Sequence, residues 1–130
     1  MAPIAVATDS ADPPVAILEL TGEHDGLTAH LIEQELARLH DAGLPIVVDL
    51  LGASFIDSST LSALLTAQKH AEEASLGFAL ALDDATSHQV HRIFETTGLE
   101  SSFVVAPTRE EAIVAARQGV AVRSEVAPST

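Results

Sequence analysis

The chain has 130 residues and no cysteine, and its nineteen acidic against six basic residues give a formal net charge of −13. That length suits one compact core, and the absence of thiols favours a cytosolic-type domain over a disulfide-stapled secreted scaffold. The charge repels phosphate backbones and anionic membranes and so argues against direct nucleic-acid binding. With no charged-then-apolar leader and no apolar run near the roughly 18 residues of a membrane span, the chain reads as soluble and cytoplasmic.

With 47% hydrophobic but only 3% aromatic residues, the core must be built from Leu, Ile, Val and Ala, with Phe55, Phe78, Phe94 and Phe103 as its largest pieces. Residues 4–8 are apolar and β-tolerant. Turn chemistry at Asp12-Pro13-Pro14 separates them from a second strand over 15–20. A polar loop is predicted over 22–25. Leu27, Leu31, Ile32, Leu36 and Leu39 then recur at steps of three and four up to Gly43, which predicts a first amphipathic helix.

Residues 45–50 are nearly all apolar and β-branched, as expected of a central strand covered on both faces. A second helix follows through Leu61, Leu64, Leu65 and Gln68, then a buried strand over 78–82. Val90, Ile93, Phe94 and Thr97 form one face of a short third helix that stops at Gly98 with a left-handed cap. A short strand at 103–105 precedes Thr108-Arg109-Glu110-Glu111, which has the form of a capping box and predicts a last helix. Strands alternating with helices argue for a single α/β or α+β domain over 1–118, with about four helices on a mixed sheet of four to five strands. Residues 119–130 read as a flexible C-terminal tail.

The sequence lacks a dinucleotide-binding glycine fingerprint, a phosphate-binding P-loop and a nucleophile elbow, so no enzyme activity and no cofactor is assigned. His88 and His91, with Asp84 nearby, have weak ligand spacing and are read as the solvated side of the third helix. His24, His30, His40 and His70 show no ligand spacing, and no metal is assigned. Glu23, Asp25 and Asp57 lie at strand-to-helix junctions, where Asp25 and Asp57 would cap helices, or the three would hold a magnesium ion or act as acid and base. After the break at Asp57, Ser58 and Ser59 fall at the exposed mouth of a helix, a place suited either to capping or to a phosphate-controlled switch.

Leu20-Thr21-Gly22-Glu23-His24-Asp25, Val47-Val48-Asp49-Leu50, Phe55-Ile56-Asp57-Ser58-Ser59 and the stretch from Val90 to Leu99 follow one another in order and spacing over about residues 4–118. In this the chain resembles STAS domains, and most nearly the bacterial anti-sigma factor antagonists. The resemblance implies partner switching in transcription regulation. The unphosphorylated protein would bind an anti-sigma factor of the serine-kinase type and so free a sigma factor, and phosphorylation by that kinase would end the binding until a phosphatase reverses it. The acceptor falls on Ser58, with Ser59 as the fallback, and the partner surface on Glu23, Asp25, Asp57, Ser58, Ser59 and Thr60. Where the family usually has glycine, this chain has Thr60, which is expected to bring bulk and a third hydroxyl to that surface. Two other functions known for such domains are carried beside this one: a constitutive scaffold subunit of a lipid-transport ATP-binding cassette complex, and a nucleotide sensor.

Overall fold

The computed structural model describes residues 3–126, with side-chain surroundings through Gly119. Strand β1 (Ile4–Asp9) pairs antiparallel with β2 (Val15–Leu20). From there every addition is parallel: β4 (Ile46–Asp49) beside β2, β6 (Phe78–Ala81) beside β4, and β7 (Val104–Ala106) beside β6. The result is a mixed five-stranded sheet in the order β1-β2-β4-β6-β7. Four helices, α1 (Gly26–Asp41), α2 (Ser58–Glu73), α3 (His88–Thr97) and α4 (Arg109–Val126), pack on it. The predicted central strand is β4, whose four residues are all buried because helices cover both of its faces.

The two faces carry different cores. On one, Leu18, Leu20, Val48, Leu50 and Leu80 meet Ile32 and Leu36 of α1, Leu61 and Leu64 of α2, and Val90 and Phe94 of α3. Phe103 closes this layer edge-to-face against Phe94, with ring centroids 5.7 Å apart. On the other face, Val15, Ile17, Val47, Ala79 and Ala81 meet α4 through Ala112, Ile113 and Ala116. Small residues on both sides let α4 lie close to the sheet. Arg109 in its first turn reaches the carboxylates of Asp49 (2.8 Å) and Glu19 (2.6 Å), and Arg117 reaches Asp9 (2.8 Å) and the carbonyl of Pro13 (2.9 Å).

Helix boundaries follow local chemistry. Helix α3 ends at Gly98, whose φ of +69° is the predicted left-handed cap. Before α4, Thr108 accepts the Glu111 N–H as a capping box requires. The Glu111 carboxylate takes the Thr108 hydroxyl instead of a backbone N–H. Helix α4 stays helical across position 119, where the sequence reading placed the start of the tail, and 127–130 lie outside the described residues.

Within the strands and α1, three further expectations need correction. The polar loop at 22–25 contains a strand, β3 (Gly22–His24), which pairs in parallel with β5 (Ala53–Ile56) as a separate two-stranded ribbon. A strand of three residues is too short to leave a side-chain periodicity to read. Phe55 is not core: it is 37% exposed on β5, opposite Glu23. Leu27 and Leu31 match the helical period but lie outside the buried stripe of Ala29, Ile32, Leu36 and Leu39, at 84% and 50% exposure.

Candidate functional site

The ribbon of β3 and β5 builds the site. His24 of β3 is in register with Ile56 of β5, and the residue after each, Asp25 and Asp57, is the N-cap of the helix that follows. Asp57 Oδ1 accepts the Thr60 N–H at 2.9 Å, and Asp25 Oδ1 accepts the Leu27 N–H at 3.0 Å. Thr28 completes a capping box on α1, its hydroxyl oxygen accepting the Asp25 N–H at 3.0 Å. The capping role expected of the two aspartates is therefore what their geometry provides.

The two caps are tied together through His24. Its carbonyl accepts the Asp57 N–H at 3.2 Å and the Thr60 hydroxyl at 3.3 Å. Its ring is fully buried, with Nε2 3.0 Å from the Thr21 carbonyl and Nδ1 3.2 Å from the Thr28 hydroxyl. A carbonyl can only accept, so Nε2 carries the hydrogen. Sequence reasoning passed over His24 because it looked for ligand spacing, whereas its work is to join α1 to β3.

With Asp57 as the cap, Ser58 and Ser59 are the first two residues of α2, and both are exposed. The first N–H groups of a helix have no partner within it, and the dipole gives that end partial positive charge, so an anion on Ser58 is electrostatically accommodated. Glu23 and Asp25 are exposed and Asp57 is half-buried. Leu27, Leu31 and Phe55, on the elements that begin or end at this junction, add apolar surface.

Thr60 departs from expectation. It is fully buried, and its hydroxyl is shared between the His24 carbonyl and Asp57 Oδ1 (3.2 Å). It therefore adds neither bulk nor a third hydroxyl to the surface. Its side chain fills the space between β3 and α2 that a glycine would leave empty.

A further contributor, Gln89, was missed from sequence. Its carboxamide accepts the Ile56 N–H at 2.9 Å and donates to the Ile56 carbonyl at 2.7 Å, while Ser87 Oγ donates to the Ser54 carbonyl at 2.7 Å. No motif announces this contact, which joins residues 33 apart in sequence. The histidine pair is also arranged differently from its reading. His88 is exposed, but His91 is half-buried and donates from Nε2 to the Asp83 carbonyl at 2.7 Å. His91 and Asp83 border a cavity of about 780 Å³ between α3 and β7, floored by Phe94 and Phe103. Among the described residues no group of three or more His, Asp or Glu side chains is placed to hold a metal ion. None of the described helices is long and apolar enough to cross a membrane.

Comparison with known proteins agrees with this architecture. The STAS domain family profile matches residues 6–112, and the chain belongs to that family. A search of curated proteins returns no match. Among solved structures, an anti-sigma factor antagonist from Mycobacterium paratuberculosis is similar at 27% identity, with a TM-score of 0.71 over 88% of this chain and 94% of that one. The phosphorylated form of the Bacillus cell fate determinant SpoIIAA shares the fold at 24% identity, with a TM-score of 0.61 over 85% of this chain and 97% of that one. A sulfate transporter family protein from Wolinella succinogenes does so at 19% identity, with a TM-score of 0.60 over 81% and 86%.

Proposed function

We propose that this chain is a non-enzymatic cytoplasmic regulator that binds an anti-sigma factor of the serine-kinase type, releases a sigma factor, and is switched off by phosphorylation at Ser58, with a phosphatase restoring it. The observation that carries this reading is the exposure of Ser58 on the first turn of α2, at a junction flanked by Glu23, Asp25 and the uncovered Leu27 and Phe55. The likeness to an antagonist at 27% identity supports it.

The switch needs no refolding. A phosphoserine carries about −1.5 to −2 charge. At a helix N-terminus it gains roughly 0.3–1 kcal/mol, which repulsion from Asp57, Asp25 and Glu23 offsets. Pressed into an interface, the same group must be desolvated, and about 2.8 kcal/mol of penalty weakens affinity a hundredfold. Ser59, the other exposed hydroxyl of the turn, is the fallback acceptor.

The test is incubation with ATP and the kinase recovered by affinity purification, followed by mapping of the product by mass spectrometry. Phosphate on Ser58, lost in Ser58→Ala, is expected. Modification elsewhere with Ser58→Ala unaffected overturns the assignment. Recovery of a transporter ATPase instead of a kinase overturns partner switching in favour of a scaffold role.

A further inference from the structure

Helix α3 takes no part in the surface described above, yet it holds the strand that ends there. Ile56 is the last residue of β5 and directly precedes Asp57. Its residue is buried, and its N–H and carbonyl both bond to the carboxamide of Gln89, the second residue of α3. An amide side chain that donates and accepts with one backbone residue acts as a substitute strand neighbour. It fixes both the position and the rotation of that peptide pair. The other edge of β5 is held by β3, so Gln89 closes the ribbon on its far side.

Ser87 makes the attachment two-point. Its hydroxyl donates to the Ser54 carbonyl and also accepts the Gln89 N–H at 3.2 Å, so the N-terminus of α3 is capped by the same side chain that holds β5. The core side of α3 is seated separately, through Val90 and Phe94. Loss of the Gln89 bonds thus leaves α3 packed while freeing the peptide that aims Asp57 and Ser58.

We propose that Gln89 is a positioning residue for the Ser58 surface: by pairing with Ile56 it sets the backbone at Asp57-Ser58, and through that the affinity for the partner. Only the affinity half rests on the partner-switching reading. The structural half is independent of it.

The experiment uses the ¹⁵N-labelled full chain with Gln89→Leu, which removes donor and acceptor at similar volume, and Gln89→Glu, which at neutral pH keeps an acceptor for the Ile56 N–H but loses the donor. Val90→Ala serves as a control that destabilises α3 while leaving the Ile56 pairing in place. Expected in Gln89→Leu are amide exchange at Ile56 about tenfold faster or more, with shifted and broadened Ser58 and Ser59 amide signals. Gln89→Glu is expected to keep most of the Ile56 N–H protection yet still move the Ser58 signal. Val90→Ala is expected to lower the melting temperature without moving either. Unmoved Ser58 and Ser59 signals in both Gln89 variants, or an equal response in Val90→Ala, overturns the positioning role. Affinity for the anti-sigma factor recovered with the wild-type chain is expected to fall about tenfold in Gln89→Leu, and equal affinity overturns the functional half. If the wild type recovers no anti-sigma factor, the partner-switching reading has failed, and the amide signals still decide whether Gln89 sets this backbone.

Discussion

Asp25 and Asp57 occupy equivalent places: each follows a residue of one register pair, His24 opposite Ile56, and each caps the helix that starts next. The parallel ribbon thereby sets the N-termini of α1 and α2 side by side. Two positive helix ends lie under a cluster of acidic side chains, and the serines fall at their junction. A charge added to Ser58 meets both influences at once, the helix ends favouring it and the carboxylates opposing it.

The cap and the charge of Asp57 are separable. Asp57→Ala loses the bond to the Thr60 N–H and is expected to cost about 1–2 kcal/mol, measured by urea denaturation. Asp57→Asn keeps a capping acceptor and is expected to cost well under about 1 kcal/mol, since Asn and Asp are comparable N-caps. If the carboxylate itself contacts the partner, Asp57→Asn will lose affinity while keeping stability. Equal affinity would limit Asp57 to capping.

Thr60 gives the opposite prediction from a surface residue. Replacing it with the glycine usual in the family removes a buried methyl and a hydroxyl bonded to His24 and Asp57, and adds backbone freedom to a helix. Together these are expected to cost about 2–3 kcal/mol, against about 1 kcal/mol for Thr60→Ser, which keeps the hydroxyl. The partner affinity of the folded fraction is expected to be unchanged in Thr60→Ser. A tighter complex in Thr60→Gly would mean that Thr60 does obstruct the surface.

How much of this was legible in sequence follows from how local each signal is. The central strand within 45–50, the Gly98 cap and the aspartate caps all rest on patterns within a few residues, and the fold bears them out. Leu27 and Leu31 misled because periodicity identifies a helical face but not where the core beneath it ends. Thr60 misled because its position in a motif suggested exposure, while the turn rotates it inward. Gln89 left no signal, since its partners are backbone groups of a strand 33 residues away that only the folded chain brings close, and His24 left none because its ring bonds to Thr21 and Thr28 match no ligand or capping motif.

Arg109 joins the buried Asp49 to Glu19, and its guanidinium is held above its ordinary pKa chiefly by the bond to Asp49. A raised pKa on a cation contributes stability that is lost only as pH rises through it, so the contribution from Arg109 is present throughout the neutral range. Arg109→Met leaves Asp49 with the Leu51 N–H but no cation, and is expected to cost about 1–3 kcal/mol. Lysine cannot span both carboxylates with a fork, so Arg109→Lys is expected to recover only part of the loss. Full recovery in a urea titration would reduce the contact to simple charge balance.

Acid stability should depend on Asp9. The Ala11 N–H and then the Arg117 guanidinium hold its carboxyl below the ordinary value of 3.8. A depressed carboxylate pKa contributes stability that is present above the unfolded value and disappears as pH falls through the folded one. Asp9→Asn is therefore expected to melt lower than wild type at neutral pH, and the difference is expected to shrink below about pH 4. A gap that persists unchanged at acid pH, read by thermal melting across that range, would show that the contribution of Asp9 is not ionic.

A close backbone approach between α4 and the residue just before β6 makes the sharpest stability prediction. A Cβ added at Gly77, just before β6, would lie 1.7 Å from the carbonyl oxygen of Ala116, and both sides of that contact are backbone. No rotamer relieves it, so α4 must move off a face where Ala79, Ala81 and Ala116 pack closely. Gly77→Ala is expected to cost about 3 kcal/mol or more. Gly119 meets Gly77 from the helix side, but a Cβ there would sit 3.1 Å from the Gly77 Cα, which a shift of a few tenths of an ångström relieves. Alanine is also favoured over glycine within a helix by up to about 1 kcal/mol, so Gly119→Ala is expected to be near neutral. Paired urea titrations decide it: equal losses in the two variants would mean that α4 does not sit as close to β6 as the backbone geometry requires.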